Sequence, residues 1–294
     1  MKKVQFKGVI TAIITPFKNG KFDPKTMAEL IEFQVSAGVD GIVPCGSTGE
    51  SATLNHEEHR EVIDFAIKAV KGRVQVIAGT GSNSTDEAIM LTRFAENAGA
   101  DGALLMTPYY NKPTQEGLYR HYKEIHDQTG LPLILYNIPG RTGVNMAPET
   151  VARLAGFERI VAIKEASGSL VQMMEIIRLC GDRLALLSGD DGLTLPILAI
   201  GGKGVISVTA NILPNALQSM IHLFNDGKIE KAREVHYQYL PLHDAMFIET
   251  NPIPVKAALH FMGKCSNDLR LPLTPLSDLN QEKLKRVLKE FKLI

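Results

Sequence analysis

Eight short apolar runs, each followed by a segment long enough for a helix, recur between residues 9 and 208. Apolar runs that alternate with longer amphipathic segments are typical of buried strands joined by helices. The spacing from one run to the next is roughly thirty residues, as a strand–loop–helix–loop unit requires. Eight units favour a closed barrel over a doubly wound sheet, so we predict an α/β fold of the (β/α)8 TIM-barrel type. The predicted strands are Val9–Thr15, Val39–Cys45, Val74–Gly79, Gly102–Met106, Pro132–Asn137, Ile160–Lys164, Leu184–Ser188 and Gly204–Val208.

Helix signals support the same reading and extend beyond the last strand. Asn55 and Ser84 each stand three residues before a glutamate, in the manner of a capping box. We predict a barrel catalytic domain over residues 1–224 and a C-terminal helical domain over residues 225–294. No low-complexity linker joins them, so we expect the helical part to pack on the barrel. The predicted late helices are Pro214–Asn225, Ile229–Phe247, Pro254–Met262 and Gln281–Phe291.

The charge balance argues for a small-molecule substrate. Acidic and basic residues number 32 each and form no long basic run, so nothing indicates binding to nucleic acid or to an anionic membrane. Cys45, Cys180 and Cys265 lie far apart without CxxC spacing, which offers neither a disulfide framework nor a zinc site. With no apparent signal peptide or membrane span, we predict a cytoplasmic location and reduced thiols.

Lys164 is the first residue that needs a chemical explanation, because it ends the apolar run Ile160–Ile163. Three of those four residues are β-branched, so the strand is expected to be buried on both faces, where a cation is costly. One interpretation is a lysine that ends a strand and extends its amine to water. The other is an amine held in low dielectric, whose lowered pKa makes the neutral nucleophile available to attack a carbonyl.

Polar side chains follow three other predicted strands. Gly46–Glu50 contains two hydroxyls between two glycines, and Thr107–Tyr110 and Tyr136–Gly143 supply phenols and an arginine. Each segment alone has an ordinary explanation as a turn, a half-buried tyrosine or a solvated arginine. The carboxyl ends of barrel strands share one rim, however, and a lysine nucleophile needs proton carriers and an anion-binding group nearby.

Three segments resemble known motifs but lack a residue or the spacing that each motif requires. His56-Glu57-Glu58-His59 places its histidines three apart, whereas the zinc-protease pattern needs four. The Gly79–Ser84 segment lacks the last glycine of a dinucleotide fingerprint, and Gly201–Gly204 lacks the hydroxyl and spacing of a P-loop. We therefore predict no metal and no cofactor.

The rim segments resemble those of the pyruvate-dependent class I aldolases of the N-acetylneuraminate lyase superfamily, and within it the dihydrodipicolinate synthase family. The resemblance runs from about residue 8 to residue 275. Tyr110 together with Arg141 points to the synthases, since sialic-acid lyases share the lysine but usually lack that arginine. The matching motifs are Gly46–Ser51, Thr107–Asn111, Tyr136–Gly143 and Ile163–Gly168.

The resemblance implies a lyase in the biosynthesis of diaminopimelate and lysine. Lys164 would form an imine with pyruvate, and the derived enamine would attack the aldehyde of L-aspartate 4-semialdehyde. Tyr136 would be the general acid and base, with Ser47 and a Tyr110 from the neighbouring subunit relaying protons. The family usually carries threonine at the position of Ser47, and serine keeps the hydroxyl.

The same resemblance assigns the substrate-binding groups. Thr48 and the backbone around Ile206 would hold the pyruvate carboxylate, and Gly189 would also line the substrate site. Arg141 would bind the carboxylate of the semialdehyde, for which a planar bidentate donor is well suited.

A regulatory site and an oligomer are implied as well. Synthases inhibited by the pathway's end product bind L-lysine at a dimer interface, and we expect the same here, in a homotetramer built as a dimer of dimers. The alternative is that Glu87 only caps its helix and the histidines form a solvated helix face. The matching positions are Ser51, Ala52, His56, His59, Asn83, Glu87 and Tyr109.

Two other functions stay open at this point. The chain could be another pyruvate-dependent aldolase, acting on a keto-deoxy sugar acid, 4-hydroxy-2-oxoglutarate or a sialic acid. It could also be a barrel that senses a keto acid or lysine and has lost turnover. Arg141 distinguishes the first of these, and imine formation at Lys164 distinguishes the second.

Overall fold

The computed structural model describes residues 5–294, and eight parallel strands in it close into one barrel. Each strand pairs with its neighbours in sequence, and the first also pairs with the last. The predicted barrel is therefore confirmed, with strand ends that differ by a few residues. The strands are β1 (Gly8–Ala12), β2 (Gly41–Val43), β3 (Gln75–Gly79), β4 (Gly102–Met106), β5 (Leu133–Asn137), β6 (Ile160–Glu165), β7 (Ala185–Ser188) and β8 (Gly204–Ser207).

Helices follow the strands, and their starts follow the capping signals. Asn55 and Glu58 form the complete capping box, while the Ser84 side chain accepts a hydrogen bond from the Glu87 backbone N–H. The Glu87 carboxylate accepts from the Ser82 hydroxyl. The helices are α1 (Pro24–Ser36), α2 (His56–Val70), α3 (Thr85–Ala98), α4 (Gln115–Gln128), α5 (Pro139–Thr142), α6 (Pro148–Leu154), α7 (Leu170–Cys180), α8 (Thr194–Ala199), α9 (Pro214–Asn225), α10 (Ile229–Ala245), α11 (Ile253–Phe261) and α12 (Asp278–Glu290).

The chain divides into two compact units, neither of which is continuous in sequence. The first combines residues 5–8 with Gln75–Ile206, and the second combines Val9–Val74 with Ser207–Ile294. In the second unit α10 packs on α9 and α12, and α11 packs on α12. All four predicted late helices are thus present, while the predicted domain boundary after residue 224 stays a prediction.

The register of the first unit's strands decides which side chains are neighbours. Tyr136 on β5 lies opposite Lys164 on β6, and Asn137 lies opposite Glu165. On the other side of β6, Lys164 lies opposite Leu187 of β7. These pairs stand at the carboxyl ends of their strands, where barrel enzymes place their chemistry.

Helix length and thiol chemistry add two further observations. Among the helices of residues 5–294, none combines the length and the apolar character needed to cross a bilayer. The three cysteines are free, with Cys45 and Cys180 buried and Cys265 partly buried. The cytoplasmic location stays a prediction.

Candidate active site

Lys164 is a buried amine at the end of β6. Its side chain does not extend to water, since only 5% of the residue is exposed. Burial lowers the pKa of the amine to about 8, an effect that the Arg141 charge increases and the Asp191 carboxylate opposes. A substantial neutral fraction at mildly alkaline pH is what a lysine nucleophile requires.

Tyr136 stands beside this amine on the neighbouring strand. The Lys164 Nζ lies 4.5 Å from the centroid of the Tyr136 ring, and the tyrosine itself is buried. The carbonyl of Tyr136 accepts from the backbone N–H of Thr107, at 3.0 Å, which ties β5 to the end of β4. The phenol therefore belongs to a rigid sheet rather than to a loop.

Gly189, at the end of β7, leaves the space that Lys164 occupies. A Cβ built on it would lie 3.2 Å from Lys164 Cε, 3.1 Å from the Glu165 carbonyl oxygen and 2.7 Å from Ala166 Cβ. The Gly189 N–H also donates to that Glu165 carbonyl, at 2.8 Å. Any side chain here would displace the lysine stem, so glycine is required by packing.

Glu165, which follows the lysine, is fully buried and hydrogen-bonded. Its carboxylate accepts from Asn137 Nδ2 at 3.1 Å, from the Ser167 backbone N–H at 2.7 Å and from Gln172 Nε2 at 3.3 Å. The network connects β5, β6 and α7 and fixes the strand end that carries Lys164. Sequence reasoning missed this role, since Gln172 lies in no motif and the members of the network are up to 35 positions apart.

Arg141 follows β5, and the neighbouring residues Tyr109 and Tyr110 follow β4. Arg141 is an exposed residue of the short helix α5, and its charge acts on the Lys164 amine. The Thr107 hydroxyl donates to the Thr142 hydroxyl at 3.1 Å, which joins the two loops. Tyr110 has a left-handed backbone, with φ of 70°, and is 90% exposed.

The loop Gly46–Glu50 belongs to the second unit and follows β2. Left-handed residues flank it at both ends, since φ is 56° at Cys45 and 53° at Glu50. Such strain in non-glycine residues persists only where the surroundings enforce it, and it is common at ligand sites. Thr48 is buried and its Oγ accepts a hydrogen bond from Asn251 Nδ2 at 3.0 Å, while Ser47 is half-buried.

Lys256 of α11 attaches the end of this loop to the C-terminal helices. Its ammonium and the Glu50 carboxylate form an ion pair whose side chains are both fully buried. Lys256 also donates to the Asp268 carbonyl at 2.9 Å and lies 4.2 Å from the Phe17 ring centroid. The other Glu50 oxygen accepts from the Arg270 backbone N–H at 3.1 Å. Sequence reasoning assigned these helices no role beyond packing.

The seven positions of the predicted lysine site fall into two groups. In the first unit, Asn83 Nδ2 donates to the Tyr109 carbonyl at 3.3 Å. Burial, and to a smaller extent the Glu87 charge, raises the pKa of the Tyr109 phenol. In the second unit, Ser51 and Ala52 form a short 3₁₀ turn, and His56 and His59 lie on the first turn of α2.

One further predicted position is placed by its burial. Ile206 is a buried residue of β8, so its backbone rather than its side chain could contact a ligand.

Across residues 5–294, no cluster of three or more histidine, cysteine, aspartate or glutamate side chains is arranged to hold a metal ion.

Comparison with known proteins gives a family match over nearly the whole chain. The model of the dihydrodipicolinate synthetase family matches residues 5–291. The 4-hydroxy-tetrahydrodipicolinate synthase of Geobacter sp. (strain M21) is 60% identical over 289 residues, which cover 98% of this chain and 100% of that protein. The synthase of the same name from Thermodesulfovibrio yellowstonii is 61% identical over 289 residues, covering 98% and 99%.

Solved structures agree closely with the fold. The dihydrodipicolinate synthase of Acinetobacter baumannii, complexed with pyruvate, is 46% identical with a TM-score of 0.96, covering 99% of this chain and 100% of that one. The enzyme from Cyanidioschyzon merolae with lysine bound is 44% identical with a TM-score of 0.96, covering 98% and 99%. A monomeric dihydrodipicolinate synthase variant is 46% identical with a TM-score of 0.96, covering 98% of both chains.

Proposed function

Because the chain belongs to the dihydrodipicolinate synthetase family, and is therefore an enzyme of the lyase type, we propose that it condenses pyruvate with L-aspartate 4-semialdehyde to 4-hydroxy-tetrahydrodipicolinate. The observation that carries the proposal is the buried Lys164 amine beside Tyr136. The pyruvate bound in the Acinetobacter baumannii enzyme supports the first substrate.

The first stage activates pyruvate. The neutral Lys164 amine attacks the keto carbon, and the carbonyl oxygen leaves as water to give an imine. Loss of a methyl proton then converts the imine into an enamine, which is a carbon nucleophile. Tyr136 exchanges the protons of these steps, and Ser47 with a Tyr110 from the neighbouring subunit connects it to solvent.

The second stage forms the carbon–carbon bond. The enamine attacks the aldehyde of the semialdehyde, whose own amine then closes the ring and releases Lys164. Thr48 and the backbone at Ile206 hold the pyruvate carboxylate, with Gly189 leaving room beside the lysine. Arg141 binds the carboxylate of the second substrate.

The direct test is a coupled assay with both substrates, in which the product is consumed by its reductase. We expect turnover in the wild type and a strong rise in the semialdehyde KM in Arg141→Ala. Borohydride with pyruvate should label Lys164 in both proteins, because Arg141 does not hold pyruvate. Labelling without turnover would instead indicate an aldolase that uses another aldehyde, and no labelling would remove the proposal.

We also propose that L-lysine inhibits the enzyme by binding at the seven positions described above. Support comes from the lysine bound in the Cyanidioschyzon merolae structure and from the closeness of Asn83, Glu87 and Tyr109. A carboxylate, an amide and histidines suit a ligand with two ammonium groups and one carboxylate.

Lysine inhibition is tested by initial rates with and without millimolar L-lysine. We expect inhibition of the wild type, and a weakening of about ten-fold or more in Glu87→Gln, because the ligand loses a charge partner. Asp86→Asn, the neighbouring exposed carboxylate on α3, is the matched control and should keep wild-type sensitivity. Unchanged rates with lysine in the wild type would contradict the proposal.

A further inference from the structure

The loop Gly46–Glu50 contacts the C-terminal part of the second unit at two points within three residues. Thr48 accepts a hydrogen bond from Asn251, and Glu50 forms the buried ion pair with Lys256. We propose that Asn251 is a positioning residue, which orients the Thr48 hydroxyl as a donor toward the substrate carboxylate. This inference rests on the proposed function, since it concerns how pyruvate is bound.

The Thr48 hydroxyl can both donate and accept hydrogen bonds. A threonine hydroxyl has one proton to donate and two lone pairs that accept. At 3.0 Å, the Asn251 Nδ2 hydrogen occupies one of the Thr48 lone pairs. The hydroxyl proton then has to point elsewhere, and a carboxylate is the acceptor it suits best. The Asn251 amide thus favours the orientation of the Thr48 hydroxyl in which its proton points toward a bound anion.

The position of Asn251 is fixed by its surroundings. Only 5% of the residue is exposed, and it lies two residues before α11, whose residues from Ile253 to Leu259 are all buried. Lys256 holds that helix to Glu50, to the Asp268 carbonyl and to the Phe17 ring. Because the helix is attached to the loop through Glu50, the amide and the hydroxyl keep their spacing.

The test uses pyruvate alone. The enzyme's exchange of pyruvate methyl protons with deuterium, followed by NMR, gives a half-saturating concentration and a maximal rate. In Asn251→Ala we expect the half-saturating concentration to rise about ten-fold, with the maximal rate changed less than about two-fold, since one oriented hydrogen bond to an anion is lost.

Asn251→Asp is the second variant, with nearly the same shape. Its carboxylate cannot donate, so it accepts the Thr48 proton and repels the substrate anion. We expect the half-saturating concentration to rise about a hundred-fold. This variant keeps the inference testable if the alanine variant does not fold.

A double-mutant cycle separates positioning from packing. In a Thr48→Val background, Asn251→Ala should have no further effect on half-saturation, because the hydroxyl through which it acts is absent. In a Thr48→Ser background, the ten-fold effect should persist. Additive losses in the valine background would overturn the inference.

Two controls complete the design. Asn280→Ala removes an amide of α12 that donates to Glu249 at 2.8 Å, and its exchange kinetics should match the wild type. Absence of exchange in the wild type would remove the proposed function itself. Normal exchange in the wild type, with half-saturation unchanged in both Asn251 variants, would overturn only the role of Asn251.

Discussion

At the scale of single residues, the state of the Lys164 amine sets the pH dependence. In the proposed reaction the neutral amine is the nucleophile, and a pKa of about 8 means that half of the amine is neutral at that pH, with less below it and more above it. Deuterium exchange into pyruvate at low pyruvate concentration should therefore increase about ten-fold per pH unit below pH 7 and level off above pH 8 to 9.

Arg141 offers a matched check on this pH profile, because its charge lowers the pKa of Lys164. Arg141→Ala should shift the midpoint upward, and Arg141→Lys, which keeps the charge, should shift it less. A midpoint near 10.5, the ordinary value for lysine, would contradict the low-dielectric explanation.

Gly189 should tolerate no side chain. Gly189→Ala places a methyl group 2.7 Å from Ala166 Cβ and 3.2 Å from Lys164 Cε, so we expect a loss of about 1–3 kcal/mol in unfolding free energy and at least ten-fold slower imine trapping. Adding Ala166→Gly removes the closer contact. The double variant should regain stability in urea unfolding but not the trapping rate, because the contact with the lysine stem remains.

Residue-level prediction from sequence succeeded where the signal was local. Lys164 was identifiable because a cation ends a β-branched run, and the structure finds it buried. The need for glycine at position 189 depends on where β6 and β7 place their side chains. The residues next to Gly189 in the sequence do not indicate that placement.

At the scale of elements, the ion pair between α11 and the loop after β2 is the feature with the largest expected energetic effect. Lys256→Met leaves a buried Glu50 carboxylate without its cation, which should cost about 3–5 kcal/mol of unfolding free energy. Adding Glu50→Gln should restore part of that loss, since the remaining polar group is neutral. Urea unfolding measures both.

Lys68→Met provides the control for that experiment. Lys68 pairs with Asp64 on the exposed face of α2, so its loss should change the unfolding free energy by less than about 1 kcal/mol. Equal losses in Lys68→Met and Lys256→Met would contradict the importance assigned to burial.

The strands and helices themselves were largely predictable. Pro214–Asn225 was predicted with the bounds that α9 has, because a proline starts it and its apolar positions recur with the helical period. The contact between Glu50 and Lys256 was not predictable. The two residues are 206 positions apart, and no sequence pattern around either of them indicates a contact with the other.

At the scale of the whole molecule, the exposure of Tyr110 concerns assembly. A 90% exposed tyrosine proposed for proton relay needs a partner subunit to bring it to a reaction site. Tyr110→Phe and Lys164→Ala should each be nearly inactive alone. Co-expressed, they should form mixed dimers in which one site is complete, restoring roughly a quarter of wild-type activity for random pairing in a two-fold dimer.

Mixed dimers isolated with two different affinity tags make that experiment decisive. Activity in the mixed fraction and none in either parent would support exchange of Tyr110 between subunits. Inactive mixed dimers would place the tyrosine at the site of its own subunit, and an active Tyr110→Phe parent would place it outside the reaction. The monomeric synthase variant among the structural neighbours shows that assembly has to be measured for each member of the family.

The loop Gly46–Glu50 lies far in sequence from Asn251 and Lys256, which contact it, and this separation has a consequence during protein synthesis. In a growing chain, all eight strands have been synthesised before Asn251 and Lys256 are added. Until then Glu50 has no Lys256 to neutralise it and Thr48 has no amide beside it. A chain that stops before residue 251 would carry every strand of the barrel and still lack both contacts to the loop Gly46–Glu50. Incomplete translation products should therefore lack both contacts, and the addition of residues 251–256 decides when the loop can acquire its final support.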